Sequence, residues 1–135
     1  MGKIQRVIAA VIQRNDQYLL CQRPIHKRHG ALWEFPGGKV HDGETDFGAI
    51  SRELAEELAV RVTHVGETRF SDRDPGSDFV IEFLDVEIEE EPVCHEHDAL
   101  QWISLGDALE LPLAPSDRAF VDWLVNTEWQ QKLDK

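Results

Sequence analysis

The chain has 135 residues, 41% of them hydrophobic, which suits one domain spanning 1–135 with a sizeable core and leaves no room for a second domain. Its 14 Lys and Arg against 26 Asp and Glu give a net charge of −12, which argues against duplex nucleic acid or an anionic membrane as a main partner. A polyphosphate ligand would also be repelled, unless metal ions and a local basic cluster neutralised its charge.

The cysteines and the apolar segments indicate where in the cell the protein is expected. Cys21 and Cys94 lie far apart and form no C-x-x-C motif, so we expect no disulfide framework and a reducing, cytoplasmic environment. The apolar run from Val7 to Ile12 is too short to span a bilayer, and no cleavage site follows it. We therefore expect neither an export signal nor a membrane anchor.

Two short apolar segments open the chain. Val7 to Ile12 and Tyr18 to Gln22 are separated by Asn15 and Asp16, a pattern that predicts a β-hairpin. The first segment is apolar enough to be a central strand that is buried on both faces.

A loop-rich segment follows, with Pro24 and the run from Pro36 to Gly38 on either side of a short extended piece at Leu32 to Phe35. It contains the one concentrated group of basic side chains in the chain: Arg23, His26, Lys27, Arg28 and His29. In an acidic protein this cluster is well placed to meet phosphates. For any single member, a solvated position on a charged loop is the simpler interpretation.

The stretch from Gly38 to Val60 contains an amphipathic helix, for which Thr45 is the predicted N-cap. At about 100° per residue, Glu56 and Glu57 fall within about 60° of Glu53, so three carboxylates share one face. An adjacent stripe is apolar and can dock on a core. Its members are Phe47, Ile50, Leu54 and Leu58.

The acidic face of this helix has a cost. Like charges three and four residues apart destabilise an isolated helix by about 0.2–0.5 kcal/mol per pair. A hard divalent cation would offset that cost, and Mg²⁺ fits best, because a few carboxylates, its own waters and substrate phosphates usually hold it. A solvated charged face is the alternative for a generic helix of this composition.

The second half of the chain is predicted to alternate strands with two helices. Four segments are rich in residues typical of strands, namely Arg61 to Glu67, Thr68 to Ser71, Phe79 to Ile88 and Leu100 to Ile103. Ser104 begins a short helix. Pro115 opens the last helix, which has an apolar face and a polar end after residue 126.

The run from Cys94 to Asp98 contains Cys, His, Glu, His and Asp and suggests zinc when taken alone. Its candidate ligands are too crowded for ordinary zinc spacing. We therefore expect His95 and His97 to be surface residues.

The acidic helix and its flanks resemble the signature of the Nudix hydrolases. That pattern is G-x5-E-x7-R-E-U-x-E-E-x-G-U, where U is aliphatic. The chain matches it at every position but one, with Gly38, Glu44, Arg52, Glu53, Leu54, Glu56, Glu57 and Val60. The exception is Ala59, where the family has a glycine in the left-handed residue that ends the helix, and a non-glycine residue there costs about 1–2 kcal/mol.

This resemblance implies an α+β fold of the α/β/α sandwich type, with a mixed β-sheet between helices. It also implies an enzyme that hydrolyses a nucleoside diphosphate linked to another group, with bound Mg²⁺ or Mn²⁺ polarising the phosphoryl oxygens. The implied metal ligands are three carboxylates and backbone from one of two glycines: Glu53, Glu56, Glu57, Gly37 and Gly38. Arg52 and Glu44 lie where the family has an orienting ion pair.

Beyond the signature, the resemblance narrows to the MutT-type branch and covers nearly the whole chain. Residues of this chain that match its phosphate or base contacts are Arg23, Trp33, Glu34, Phe35, Lys39 and Asp117, although Trp33 and Phe35 are residues more often found in a core. Glu96 matches a further acidic residue that lies near the metals and ligates or acts as base.

Asp117 is the candidate reader of the base. An ionised carboxylate only accepts hydrogen bonds, so Asp117 would favour a base edge with N–H donors, such as the guanine edge or the cytosine amino group. Capping of the last helix is the alternative role.

These observations predict metal-dependent hydrolysis of nucleoside triphosphates, such as 8-oxo-dGTP or another non-canonical dNTP, to a nucleoside monophosphate and pyrophosphate. A CTP or modified-pyrimidine pyrophosphohydrolase is the alternative, which the run from Leu113 to Asp117 resembles. A Nudix domain that only binds nucleotide is the alternative of another class, and the intact carboxylates favour the enzyme. We expect a monomer or a homodimer.

Overall fold

A computed structural model describes residues 4–73 and 76–133. In chain order its elements are β1 (Gln5–Val11), β2 (Gln13–Arg14), β3 (Gln17–Gln22), β4 (Trp33–Glu34), β5 (Gly37–Lys39), α1 (Asp46–Leu58), β6 (Arg61–Arg73), β7 (Phe79–Glu89), β8 (Ala99–Ser104), α2 (Leu105–Ala108) and α3 (Pro115–Leu133). None of the described helices is long and apolar enough to cross a membrane.

The strands form two sheets. The first is mixed, with the order β5-β1-β7-β6, and β1 runs antiparallel to β5 and parallel to β7. The second is antiparallel, and in it β3 pairs with β2, β4 and β8.

Strand β1 is buried on both faces, as its sequence predicts. Ile8 and Ala10 belong to the hydrophobic cluster that contains the buried face of α1, whereas Ala9 and Val11 belong to the cluster that contains α3. The two helices therefore cover opposite faces of the mixed sheet. This arrangement confirms the predicted α+β sandwich.

The predicted hairpin forms around the turn at Asn15 and Asp16, but its first arm is not the predicted segment 7–12. Both edges of β1 are already paired, one with β5 and the other with β7, so β3 has no edge of β1 to join. Instead, the two residues of β2 pair with β3, and the Leu19 N–H donates to the Ile12 carbonyl at 3.1 Å. The apolar pattern of the two segments is the same for either pairing, which is why it did not distinguish them.

Candidate active site

Helix α1 begins and ends as its sequence predicts. The Thr45 hydroxyl accepts a hydrogen bond from the Gly48 N–H at 3.0 Å, which caps the first turn. Ala59 ends the helix in the left-handed conformation, with φ 55° and ψ 38°, and its N–H donates to the Ala55 carbonyl. The turn of the signature therefore forms without the family glycine.

Burial of one face holds α1 in place. Ile50, Leu54 and Leu58 are fully buried, as predicted, but Phe47 is 48% exposed and lies largely outside the apolar face. The buried residues fix the rotation of the helix about its axis and thereby the positions of its carboxylates.

The three carboxylates of this helix lie at different depths. Glu57 is only 5% exposed. The side chain of Glu53 is 15% exposed, and that of Glu56 is 52% exposed. Glu53 and Glu57 line a cavity of about 150 Å³, which we call the carboxylate cavity. Its lining also includes Arg23, Lys27, Glu34, Gly37, Glu96 and His97, whereas Glu56 lies outside it.

The carboxylate cavity is strongly acidic. Burial first, and then the charges of Glu53, Glu34 and Glu96, raise the pKa of Glu57 to about 9. The Glu57 Oε2 atom is buried and has no hydrogen-bond partner among the described residues. A buried group of this kind is costly unless a proton or a cation neutralises it.

Gly38 makes room for one of these carboxylates. A Cβ atom at this position would lie 2.4 Å from the Glu53 carboxyl carbon, so no other residue fits without displacing Glu53. Hard divalent cations are held by oxygen ligands. This site offers such ligands close together, and one of them is a buried carboxylate oxygen without a partner in the described part of the chain. Among the described residues no three Asp, Glu, His or Cys side chains are already placed to hold a metal, so the carboxylates would have to rotate towards it.

Arg52 and Glu44 form the predicted ion pair. Arg52 Nε lies 2.9 Å from Glu44 Oε2, and Nη2 lies 2.9 Å from Oε1. The guanidinium also donates to the Lys39 carbonyl and, at 2.8 Å, to Glu53 Oε1. The hydrogen bonds from Arg52 lower the pKa of Glu44 to about 2. Arg52 thereby joins the loop before α1 to a carboxylate of the cavity.

The segment 93–98 contributes to the carboxylate cavity from outside helix α1. Its backbone is held by hydrogen bonds from the N–H groups of Val93, His95 and Asp98 to the carbonyls of Leu58, Glu57 and Gln22, at 2.8 to 3.1 Å. This docking places Glu96 in the lining of the carboxylate cavity, as the family resemblance implies for an acidic residue near the metals.

The prediction that His97 is a surface residue is wrong, whereas His95 is exposed. The His97 side chain is only 5% exposed, and its Nε2 atom lies 3.1 Å from Glu34 Oε2 and 3.6 Å from Glu57 Oε1. Its ring therefore faces two carboxylates of the cavity. Its backbone carbonyl accepts a hydrogen bond from the Cys94 thiol. No periodicity in the sequence distinguishes His97 from His95.

A larger cleft of about 380 Å³ adjoins the carboxylate cavity, and we call it the basic cleft. Four members of the predicted basic cluster line it, namely Arg23, Lys27, Arg28 and His29, together with Lys39. His26 is exposed and lies outside its lining. Arg23, Lys27 and Glu34 line both spaces, so the cleft and the cavity meet at these side chains.

Glu34 and Arg23 form a close ion pair at this junction. Arg23 Nη1 lies 3.0 and 3.3 Å from the two Glu34 oxygens, and Arg23 Nε donates to the Arg28 carbonyl at 2.8 Å. Both side chains are therefore held in place before any ligand binds.

The N-terminal turn of α3 forms the far wall of the basic cleft, through Ala114 to Asp117. Asp117 Oδ1 accepts a hydrogen bond from the Phe35 N–H at 2.9 Å. Burial, and then the charge of Glu34, raise the pKa of Asp117 well above its usual value. A raised pKa favours the protonated carboxyl, which donates as well as accepts, whereas the sequence prediction assumed an ionised carboxylate that only accepts.

Neither of the two predicted aromatic contacts, Trp33 and Phe35, lines the basic cleft. The Phe35 ring packs edge-on against Phe83 and Phe120 in the core, so only its backbone is directed towards Asp117. Trp33 is half-buried, and its backbone exchanges hydrogen bonds with Pro112 and Ala114, which positions the start of α3.

Comparison with known proteins agrees with this architecture. Residues 3–124 match the family model of the NUDIX domain. The chain is 41% identical over 118 residues to the CTP pyrophosphohydrolase of Escherichia coli (strain K12), covering 85% of this chain and 87% of the relative. It is 38% identical over 61 residues to the 8-oxo-dGTP diphosphatase of Proteus vulgaris, covering 45% of this chain and 54% of the relative. The crystal structure of a MutT NUDIX hydrolase from Burkholderia pseudomallei aligns with a TM-score of 0.78 and 27% identity, covering 90% of this chain and 98% of that chain.

Proposed function

Because the chain belongs to the Nudix hydrolase family, we propose that it hydrolyses nucleoside triphosphates to a nucleoside monophosphate and pyrophosphate. The observation that carries this proposal is the junction between the carboxylate cavity and the basic cleft. Arg23 and Lys27 line both spaces, so a triphosphate can lie along them while its nucleoside occupies the cleft. These cations counter the repulsion expected from a chain with a net charge of −12.

We propose that Glu53, Glu57 and Glu96, with backbone from Gly37 or Gly38, hold Mg²⁺ or Mn²⁺, and that Glu56 rotates inward to join them. When bound, such a cation neutralises phosphate charge and polarises the phosphoryl oxygens. The remaining work falls to positioning by the chain itself. The Arg52–Glu44 pair holds Glu53, and Glu96 is an exposed carboxylate of the cavity that can take the proton of the attacking water.

A module that only bound nucleotide would not need this arrangement. Glu57 is buried without a partner for Oε2, beside three further carboxylates of the cavity. Such a group lowers the stability of the fold, and destabilising groups of this kind are expected at functional sites such as a catalytic metal site. The geometry therefore supports an enzyme better than a nucleotide sensor.

For the substrate we propose a non-canonical deoxynucleoside triphosphate such as 8-oxo-dGTP, which would make the protein an enzyme of nucleotide-pool sanitisation. CTP or a modified pyrimidine nucleotide is the second candidate, and the similarity to the E. coli CTP pyrophosphohydrolase supports it. A carboxyl at Asp117 that both donates and accepts can pair with either class of base edge. We also propose a monomer or homodimer in the cytoplasm, a location suited to the free thiols of Cys21 and Cys94.

A hydrolysis panel tests this proposal. Canonical, oxidised and methylated nucleoside triphosphates are incubated with the protein and Mg²⁺ or Mn²⁺, and the products are identified. We expect pyrophosphate and a monophosphate, whereas release of single orthophosphate would contradict the proposal. Glu57→Gln should slow turnover by about 10²-fold or more with the fold intact, while Glu67→Gln, at an exposed site, serves as the matched control.

A further inference from the structure

We propose that His97 is a positioning residue that holds Glu34 and Glu57 in place at the junction of the basic cleft and the carboxylate cavity. The proposal rests on the proposed function and adds a residue to its machinery. His97 acts through the two carboxylates and does not itself contact the substrate.

The first support is the geometry of the imidazole. Its Nε2 atom lies 3.1 Å from Glu34 Oε2 and 3.6 Å from Glu57 Oε1, so one ring nitrogen faces both carboxyl groups. The hydrogen bond to Glu34 is within the usual range, and the longer contact with Glu57 is electrostatic. The side chain is almost fully buried, so water does not compete for this N–H.

The second support is the position of Glu34. Arg23 holds this carboxylate from the side of the basic cleft, and His97 holds it from the side of the cavity. The same ring nitrogen lies 3.6 Å from Glu57 Oε1, so Glu34 and Glu57 meet at one atom of His97. An N–H that faces both carboxyl groups keeps them in one arrangement.

The third support is the backbone that carries the ring. Hydrogen bonds on either side of His97, from His95 N to Glu57 O and from Asp98 N to Gln22 O, tie the segment to α1 and to β3. His97 is therefore anchored to the same helix turn as Glu57. A residue placed in this way orients the ligand rather than joining the metal, which is the role of an outer-shell partner.

Loss of such a partner typically lowers metal affinity or activity about 10–100-fold. We therefore expect His97→Leu to bind Mn²⁺ about 10-fold or more weakly in isothermal titration without nucleotide. Its kcat should fall by a similar factor, with a smaller change in KM, because Arg23 and Lys27 still contact the phosphates. His97→Gln should recover most of both quantities, since its amide N–H can reach the position of Nε2.

His95→Leu is the matched control, because His95 lies two residues away and is exposed. It should keep Mn²⁺ affinity and kcat within about twofold of the parent. His97→Asn, whose shorter side chain cannot place its amide at Nε2, should behave like His97→Leu and provides the comparison with His97→Gln if the leucine variant melts early.

Two results would overturn the proposal. One is a His97→Leu variant that binds Mn²⁺ and turns over like His95→Leu. The other is a folded His97→Gln variant that loses as much as His97→Asn, which would make the ring a packing element alone. A parent protein that cleaves no nucleotide would refute the proposed function, whereas the Mn²⁺ titrations would still decide the role of His97.

Discussion

Arg52 holds both carboxylate oxygens of Glu44 at 2.9 Å and reaches Glu53 with its remaining terminal nitrogen at 2.8 Å. The guanidinium is therefore shared between the loop before the helix and a candidate metal ligand. A bidentate pair of this kind adds geometric specificity as well as energy. Its consequence for pH follows from the lowered pKa of Glu44.

Glu44→Gln should flatten the acid limb of the stability curve. The folded pKa of Glu44 is about 2, below its usual value of 4.5, so the ionised form contributes stability above pH 4.5 and loses it as the pH falls through 2. The difference in melting temperature between the parent and Glu44→Gln should therefore shrink between pH 4.5 and 2. A difference that stays constant over that interval would refute this assignment.

Glu57 should give the opposite pH dependence in the metal-free protein. Its folded pKa of about 9 lies above the usual 4.5, so its contribution to stability is complete below pH 4.5 and is lost as the pH rises through 9. With EDTA present, the melting temperature of the parent should fall between pH 7 and 9.5 more than that of Glu57→Gln. Added Mg²⁺ should reverse the fall, since the cation takes the place of the proton. Identical pH curves for the two proteins would contradict the prediction.

Gly38→Ala should lower kcat about 100-fold and leave the protein folded. The added Cβ would meet the Glu53 carboxyl at 2.4 Å and displace it, and a shift of about 1 Å in a catalytic group costs about 10²-fold in rate. Gly106→Ala, in α2 with no atom near the added methyl group, is the control and should keep full activity. Equal kcat values for the two variants would show that Glu53 can move freely.

Asp117 should affect both stability and the choice of base. Asp117→Ala leaves the buried Phe35 N–H without its acceptor, and an unsatisfied buried donor costs about 1–3 kcal/mol. Asp117→Asn keeps an acceptor, replaces the single O–H donor of the carboxyl by an amide with two N–H donors, and should reorder the preference among nucleotides without abolishing turnover. If both variants lose only melting temperature and keep the ranking of the parent, Asp117 supports β4 and α3 and does not read the base.

Ala59→Gly should stabilise the protein. The left-handed residue costs Ala about 1–2 kcal/mol, and the larger freedom of Gly in the unfolded chain offsets part of the gain. We expect a net gain of about 0.5–1 kcal/mol, seen as a rise of about 2–4 °C in melting temperature with kcat unchanged. An unchanged or lower melting temperature would mean that the turn stores no strain.

Features that depend on a few neighbouring residues could be predicted from the sequence. The shared face of Glu53 and Glu57, the cap at Thr45 and the left-handed end at Ala59 all follow from helix geometry, which repeats within one or two turns. The two-sided burial of β1 followed from its continuous apolar run. The Arg52–Glu44 pair was predicted by the resemblance to a family signature, since nothing in the spacing alone requires it.

Only the tertiary structure decided which of these groups are buried and which meet. Glu56 and Glu57 are neighbours on one helix, yet one is 52% exposed at its side chain and the other is 5% exposed overall, because segment 93–98 docks beside only the second. The burial of His97 and the separation of β1 from β3 likewise depend on partners distant in sequence. Such contacts are set by which edge or face is still free when distant segments meet, and local periodicity carries no information about that.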